Sequence, residues 1–174
     1  MPELKQPRIL YDSREKNEKI IEKLKEFGEK ENVIIEIKRG GPGDYVIYDR
    51  LGNRWGVEYK SFMDCYNSII QKEGEDKTAR LHGQLAELIK EFDGRAIFML
   101  GAFEYVPIKF RRQSWLIKRI VYSFFSVRSL VMPTWILSGP EHIAKFLIKM
   151  AKTIHREEFS GRNYRVILIK PKKK

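Results

Sequence analysis

The stretch Gly43-Asp44-Tyr45-Val46-Ile47-Tyr48-Asp49, followed by Val57-Glu58-Tyr59-Lys60-Ser61 and then Asp64, decides how this chain is built. Two apolar-alternating runs flank Asp49-Arg50-Leu51-Gly52-Asn53, a turn-forming segment. That pattern predicts a β-hairpin. Asp44 opens the first strand, and Glu58 and Lys60 lie near the end of the second. Successive side chains on a strand point to opposite faces, so Glu58 and Lys60 share one face and Tyr59 takes the other. Ser61 is placed to cap a following helix. That sets Asp64 in the helix's first turns, where it can point back at the strand end.

Three carboxylates and a lysine are thereby expected to converge. Carboxylate oxygens are the ligands a hard cation prefers, and Mg²⁺ typically uses one or two of them with water and substrate phosphate. Held by Asp44, Glu58 and Asp64, such an ion (Mg²⁺ or Mn²⁺) polarises a phosphoryl oxygen and lowers the pKa of a bound water. Lys60 beside it can orient the attacking water or offset charge on the phosphate. The chemistry indicated is phosphodiester hydrolysis. Each residue alone has a plainer account, Asp44 as a turn cap and Glu58 with Lys60 as a surface cross-strand pair. The four together, set between apolar strands, favour the metal site.

Composition narrows the class. A chain of 174 residues with 43% hydrophobic residues is one domain with a proper core. The expected extent is residues 1–174, with a core of about 8–157 and a basic tail at 158–174. Cys65 is the single cysteine, which excludes an intramolecular disulfide and a cysteine-based zinc site. No run approaches bilayer-spanning length and no signal-peptide core is present, so a cytoplasmic protein without a membrane partner is expected. Abundant Glu and Lys with few Asn and Gln add a weak thermophile-like signature.

The net charge of +11 is uneven. Residues 1–87 hold 16 Lys/Arg against 17 Asp/Glu, and residues 88–174 hold 18 against 6. A polyanion gripped by the second half would be presented to the carboxylates of the first. An acidic membrane surface would use the same charge.

Along the chain, Ile9-Leu10-Tyr11 is an inner strand ending at Asp12. A helix is predicted from Ser13 to about Phe27, with Gly28 as its stop. Asp12 and Glu15 either reach the metal site or complement the helix dipole. Val33 to Ile37 is a strand, and Gly40-Gly41-Pro42-Gly43 is the turn into Asp44. Helices follow at Phe62 to Gln71 and about Thr78 to Phe92. On the second, Arg80 and Gln84 sit one turn apart, fit for a phosphate and for a water or base edge. Ala96 to Gly101 has the profile of a strand buried on both faces.

Residues 102–113 interleave aromatic residues with Arg111 and Arg112, a pattern that stacks bases and holds phosphates. A helix from Ser114 to about Ser129 carries Lys118 and Arg119 on its polar edge. Val131 to Leu137 is a strand, and Gly139-Pro140-Glu141 starts the last long helix. Its apolar stripe (Ile143, Phe146, Leu147, Met150, Ile154) is either core or a dimer surface, and Lys145, Lys149, Lys152 and Arg156 form a basic stripe. Tyr164 to Ile169 is strand-like.

The quoted residues also resemble a known signature. Gly43-Asp44, a spacer, Glu58-Tyr59-Lys60, three residues and Asp64 is similar to the motif of the XPF/Hef-type structure-selective nucleases, within the restriction-endonuclease-like class. Asp12-Ser13-Arg14-Glu15 resembles the Asp-x-Arg-Glu after that family's first strand, and Arg80 with Gln84 its Arg-x-x-x-Gln helix. The likeness spans roughly residues 8 to 155. In one departure, Tyr59 stands where the family usually has arginine.

The resemblance implies an α/β fold with a restriction-endonuclease-like core, a mixed central sheet flanked by helices. It implies a Mg²⁺-dependent endodeoxyribonuclease acting on branched, flap or fork DNA in repair or replication. Asp12 and Glu15 become outer-shell or second-metal candidates. A homodimer, or a heterodimer with a related chain, is expected. The helix-hairpin-helix modules that often follow in this family are not in this sequence. The alternatives are a non-catalytic DNA-binding subunit, a sequence-specific restriction-type enzyme and a basic structural protein.

Overall fold

The computed structural model describes residues 4–14, 17–70, 72–73, 78–101 and 134–153. In chain order these form β1 (Arg8–Asp12), α1 (Glu18–Glu31), β2 (Ile34–Lys38), β3 (Tyr45–Tyr48), β4 (Arg54–Lys60) and α2 (Phe62–Ile70). A short ribbon of β5 (Lys72–Glu73) and β6 (Thr78–Ala79) follows, then α3 (Arg80–Glu91), β7 (Ala96–Gly101), β8 (Thr134–Leu137) and α4 (Gly139–Thr153). Six strands make one mixed sheet in the order β2-β1-β3-β4-β7-β8. The hairpin β3–β4 and the β1–β3 pair are antiparallel, whereas β1–β2, β4–β7 and β7–β8 are parallel. The expected α/β architecture is the one observed.

Period-two alternation divides the sheet cleanly. Ile9, Tyr11, Tyr45, Ile47, Trp55, Val57, Ile97 and Met99 face α1 and α4 and pack with Ile20, Leu24, Ile143 and Leu147. Val46, Ala96, Phe98 and Leu100 face α2 and α3 and pack with Phe62, Cys65, Leu81, Leu85 and Leu88. Burying a leucine such as those of α3 stabilises by roughly 1.5–3 kcal/mol. β7, inside both layers, is buried along its whole length, as its unbroken apolar run requires.

Three expectations are refined. Helix α1 starts at Glu18 rather than Ser13, because Asn17 caps it by accepting from the Ile20 amide at 3.3 Å, while Ser13 and Arg14 turn around Asp12. It also continues past Gly28. A Cβ there would stand 2.5 Å from Ile35 Cγ1, so the glycine permits close packing, and Asn32 ends the helix in the left-handed region (φ 55°). In α4, Ile143, Leu147 and Met150 are buried in this chain's own core, so the described part of that stripe is core rather than a dimer surface. The β5–β6 ribbon was not anticipated, since two-residue strands carry no readable period. The expected loop at 102–113, the helix at 114–129, the strand at 164–169, and with them Arg111, Arg112, Lys118, Arg119 and Glu15, lie outside the described residues.

Candidate active site

Strand pairing sets a polar row across one end of the sheet. Asp12 pairs with Lys38 in the parallel register of β1 and β2. The Asp12 amide donates to the Asp44 carbonyl at 2.8 Å, and the Asp44 amide donates to the Val57 carbonyl at 2.8 Å. The antiparallel registers end at Tyr45, opposite Tyr11 and Val57, so Asp44 follows at the strand's edge between β1 and β4. Residues paired across neighbouring strands share a face. Asp12 and Lys38 share a face in this way, and Asp12, Asp44, Glu58 and Lys60 line one depression with Gln84 and Glu87 of α3.

Each member has defined partners. One oxygen of Asp44 accepts the Tyr59 amide at 2.8 Å. Glu58 is 5% exposed and pairs with the Lys60 ammonium at 2.7 Å. Asp12 is buried and takes two guanidinium bonds from Arg14, at 3.0 and 2.8 Å, plus the Arg14 amide at 2.8 Å. Those bonds, chiefly the side-chain one, hold the Asp12 carboxyl down at about 2. Burial draws the Lys38 ammonium below its usual range, against the pull of Asp12 and Asp44. Asp64 is exposed. It sits where the sequence predicted, in the first turn of α2, with Ser61 capping that helix. The Asp64 amide donates to Ser61 Oγ at 3.1 Å, and the Ser61 hydroxyl donates to Asp64 Oδ2 at 2.5 Å.

Two adjoining depressions open over this row. One, of about 570 Å³, is lined by Asp44, Lys60, Ser61 and Asp64 together with Arg14, Asn17, Glu18, Lys19 and Tyr59. The other, of about 550 Å³, is lined by Asp12, Asp44, Glu58, Lys60 and Gln84 with Arg14, Glu87 and the loop Gly41–Gly43. Arg14, Asp44 and Lys60 belong to both. Gln84 lines the second, and its Oε1 is buried with no hydrogen-bond partner among the described residues. Arg80, at the start of α3, is exposed and lines neither.

The structure thus gathers Asp12, Asp44, Glu58 and Lys60, and sets Gln84 beside them. Asp64 meets Asp44 only across the first depression. Among the described residues no three His, Cys, Asp or Glu side chains form a metal-holding cluster. The donor chemistry nonetheless fits a hard divalent ion. Asp44 and Glu58 line one groove, and two carboxylates with water and phosphate suffice for Mg²⁺.

Sequence reasoning missed Lys38 and Glu87, and it quoted Arg14 within the Asp-x-Arg-Glu likeness without giving its guanidinium a role. Glu87 lies one helical turn beyond Gln84, a spacing that could have flagged it. Lys38 was legible only through the β1–β2 register.

This is a mixed α/β fold with a carboxylate–lysine group at the ends of its central strands. The chain belongs to the ERCC4 domain family, whose pattern matches residues 11–123. Among solved structures it is similar to XPF from Aeropyrum pernix, with a TM-score of 0.65 and 18% identity, covering 87% of this chain and 66% of that one. It is similar also to XPF from Aeropyrum pernix in complex with DNA, with a TM-score of 0.64 and 19% identity, covering 83% and 63%. The chain thus spans just under two thirds of those XPF chains. The likeness establishes the restriction-endonuclease-like fold. No curated protein matches the chain.

Proposed function

We propose that this chain is a divalent-metal-dependent DNA endonuclease. The observation that carries the reading is the group itself, Asp12, Asp44 and Glu58 lining one depression with Lys60 paired to Glu58 at 2.7 Å. Asp44 and Glu58 would hold Mg²⁺ or Mn²⁺, with Asp64 contributing from the adjoining depression. When bound, the ion supplies Lewis-acid polarisation of the phosphate and a more acidic water.

The chain's own residues do the rest. Lys60, 15% exposed at its side chain, orients the attacking water and offsets charge on the phosphoryl oxygens. Gln84, on the wall of the second depression, is placed to meet that water or a base edge. Arg14 is fixed by Asp12 yet 73% exposed, and binds a backbone phosphate with its outer edge. The excess positive charge of residues 88–174 holds the rest of the polyanion. ERCC4 family membership and the likeness to an XPF in complex with DNA support DNA as substrate; branched, flap or fork DNA is the form that the motif resemblance implies. Pairing with a second copy or a related chain belongs to the same reading.

The test is cleavage of labelled fork, flap, single-stranded and duplex DNA with Mg²⁺, Mn²⁺ or EDTA, for wild type and Asp44→Ala. Metal-dependent cutting that the substitution removes while DNA binding persists is the expected result. Binding without cutting in either metal would defeat the catalytic reading and leave a DNA-binding subunit.

A further inference from the structure

The loop that leads into Asp44 has an unusual backbone. Gly40, Gly41 and Gly43 all stand at positive φ, 68°, 86° and 78°. A segment like this belongs to no strand ladder, so its carbonyls need donors from elsewhere. Lys38 supplies them. Its Nζ lies 2.5 Å from the Gly43 carbonyl, 3.3 Å from that of Pro42 and 3.4 Å from that of Gly40. The side chain is only 10% exposed, and Asp12 Oδ2 is 3.7 Å away.

The Gly43 carbonyl belongs to the peptide unit that joins Gly43 to Asp44. The N–H of that same unit donates to the Val57 carbonyl at 2.8 Å. The unit is held from both sides, by an ammonium from β2 and a carbonyl from β4. Its orientation sets the direction in which the Asp44 side chain leaves the backbone. Asp12 depends less on Lys38, because Arg14 already gives it three hydrogen bonds of 3.0 Å or shorter.

We propose that Lys38 is a positioning residue for Asp44, clamping the Gly43–Asp44 peptide so that the carboxylate meets the Tyr59 amide and faces the groove. A compact ammonium with three donors suits several convergent carbonyls, and a planar guanidinium does not. The catalytic consequence rests on the nuclease reading above, and the geometric claim stands without it.

The experiment compares wild type, Lys38→Met and Lys38→Arg by amide hydrogen exchange and by single-turnover DNA cleavage. In Lys38→Met the Tyr59 amide, which bonds Asp44 Oδ2, is expected to exchange about tenfold faster or more, while the Asn53 amide at the far end of the hairpin is unchanged. Cleavage is expected to slow by about 10- to 100-fold with DNA affinity kept within about twofold, the signature of a displaced reacting group. Lys38→Arg should behave more like Lys38→Met than like wild type. Unchanged Tyr59 protection in Lys38→Met would overturn the proposal. So would equal loss of protection at Tyr59 and Asn53, which marks a purely structural lysine, or full recovery with arginine, which marks charge alone. If the wild type cuts nothing, the nuclease reading fails by itself, and the exchange comparison still decides the role of Lys38.

Discussion

Asp44 and Asp49 flank the same strand, β3, and lead opposite lives. Five positions apart, they point to opposite faces of the sheet. Asp49 is 1% exposed. Its oxygens accept the amides of Leu51 and Asn53, each at 2.9 Å, the Asn53 side chain at 2.9 Å and the Trp55 indole at 3.4 Å. Among the described residues these donors are all neutral and all belong to the same hairpin, and the carboxylate closes the turn. Asp44 is half-buried, accepts the Tyr59 amide and lines both depressions, with Arg14 and Lys60 on their walls. Neutral local donors mark a carboxylate used for folding. Cations and a shared groove mark one kept for chemistry.

The sharpest way to break this comparison is to neutralise each carboxylate in turn. Asp44→Asn and Glu58→Gln are expected to lower the cleavage rate by about 10²–10³-fold, the usual scale for removing one electrostatic group from a reaction centre. Circular dichroism and thermal melts should change little. Asp49→Ala should do the reverse. It strands several buried donors and is expected to cost about 3 kcal/mol in urea unfolding, with the cleavage rate per folded molecule unchanged. Equal loss of activity in Asp44→Asn and Asp49→Ala would collapse the distinction.

Residue type does not separate the two aspartates, but their places in the hairpin pattern do, Asp49 in the turn and Asp44 at the opening of the strand. The hairpin was legible because alternation of period two is robust, and it fixed the common face of Glu58 and Lys60 and the opposite face of Tyr59. The capping of α2 by Ser61 was legible too, since Ser-x-x-Asp is a local pattern whose donors lie within four residues. Gly28 was misjudged because a glycine that ends a helix and one that lets a strand approach look identical in sequence. Lys38 and the contact between Arg14 and Asp12, two residues known only as part of a motif, went unread for a different reason. Their roles depend on the parallel register of β1 with β2 and on a turn, neither of which leaves a periodic trace. Much of the charge that sets residues 88–174 apart lies outside the described residues, so its arrangement rests on sequence alone.

Acid pH sharpens the comparison through Asp12, the third carboxylate of the row. Its folded pKa is about 2 against an ordinary value of 3.8, with the Arg14 hydrogen bond as the main cause. A depressed carboxylate pKa stabilises the fold above the ordinary value, and that contribution disappears as pH falls through the folded one. Stability is therefore expected to decline between about pH 4 and pH 2. Arg14→Gln should lower stability at neutral pH and flatten that decline. An unchanged acid limb would show that the exposed guanidinium contributes little, and would move Asp12 closer to Asp49 in kind.

The smallest effect is expected at Cys65, and it tests how deep the polar end goes. Asp64 and Cys65 are neighbours on α2, and a rotation of 100° per residue sends one outward and the other inward. Asp64 is exposed at the rim of a depression, while Cys65 is 2% exposed within the α2–α3 layer. Burial pushes its thiol up to about 12, overriding the opposite influence of Lys60. At pH 8 the thiolate is then about one part in ten thousand, and a thiol reagent attacks only the thiolate. The folded protein is expected to resist such a reagent until urea unfolds it. Cys65→Ala should cost about 1 kcal/mol and leave cleavage as it was. Rapid labelling of the folded chain would mean that water reaches beneath the groove. The carboxylate row would then sit on a loosely packed floor, and its low dielectric, on which Lys60 and Glu58 depend for a strong pair, would be lost with it.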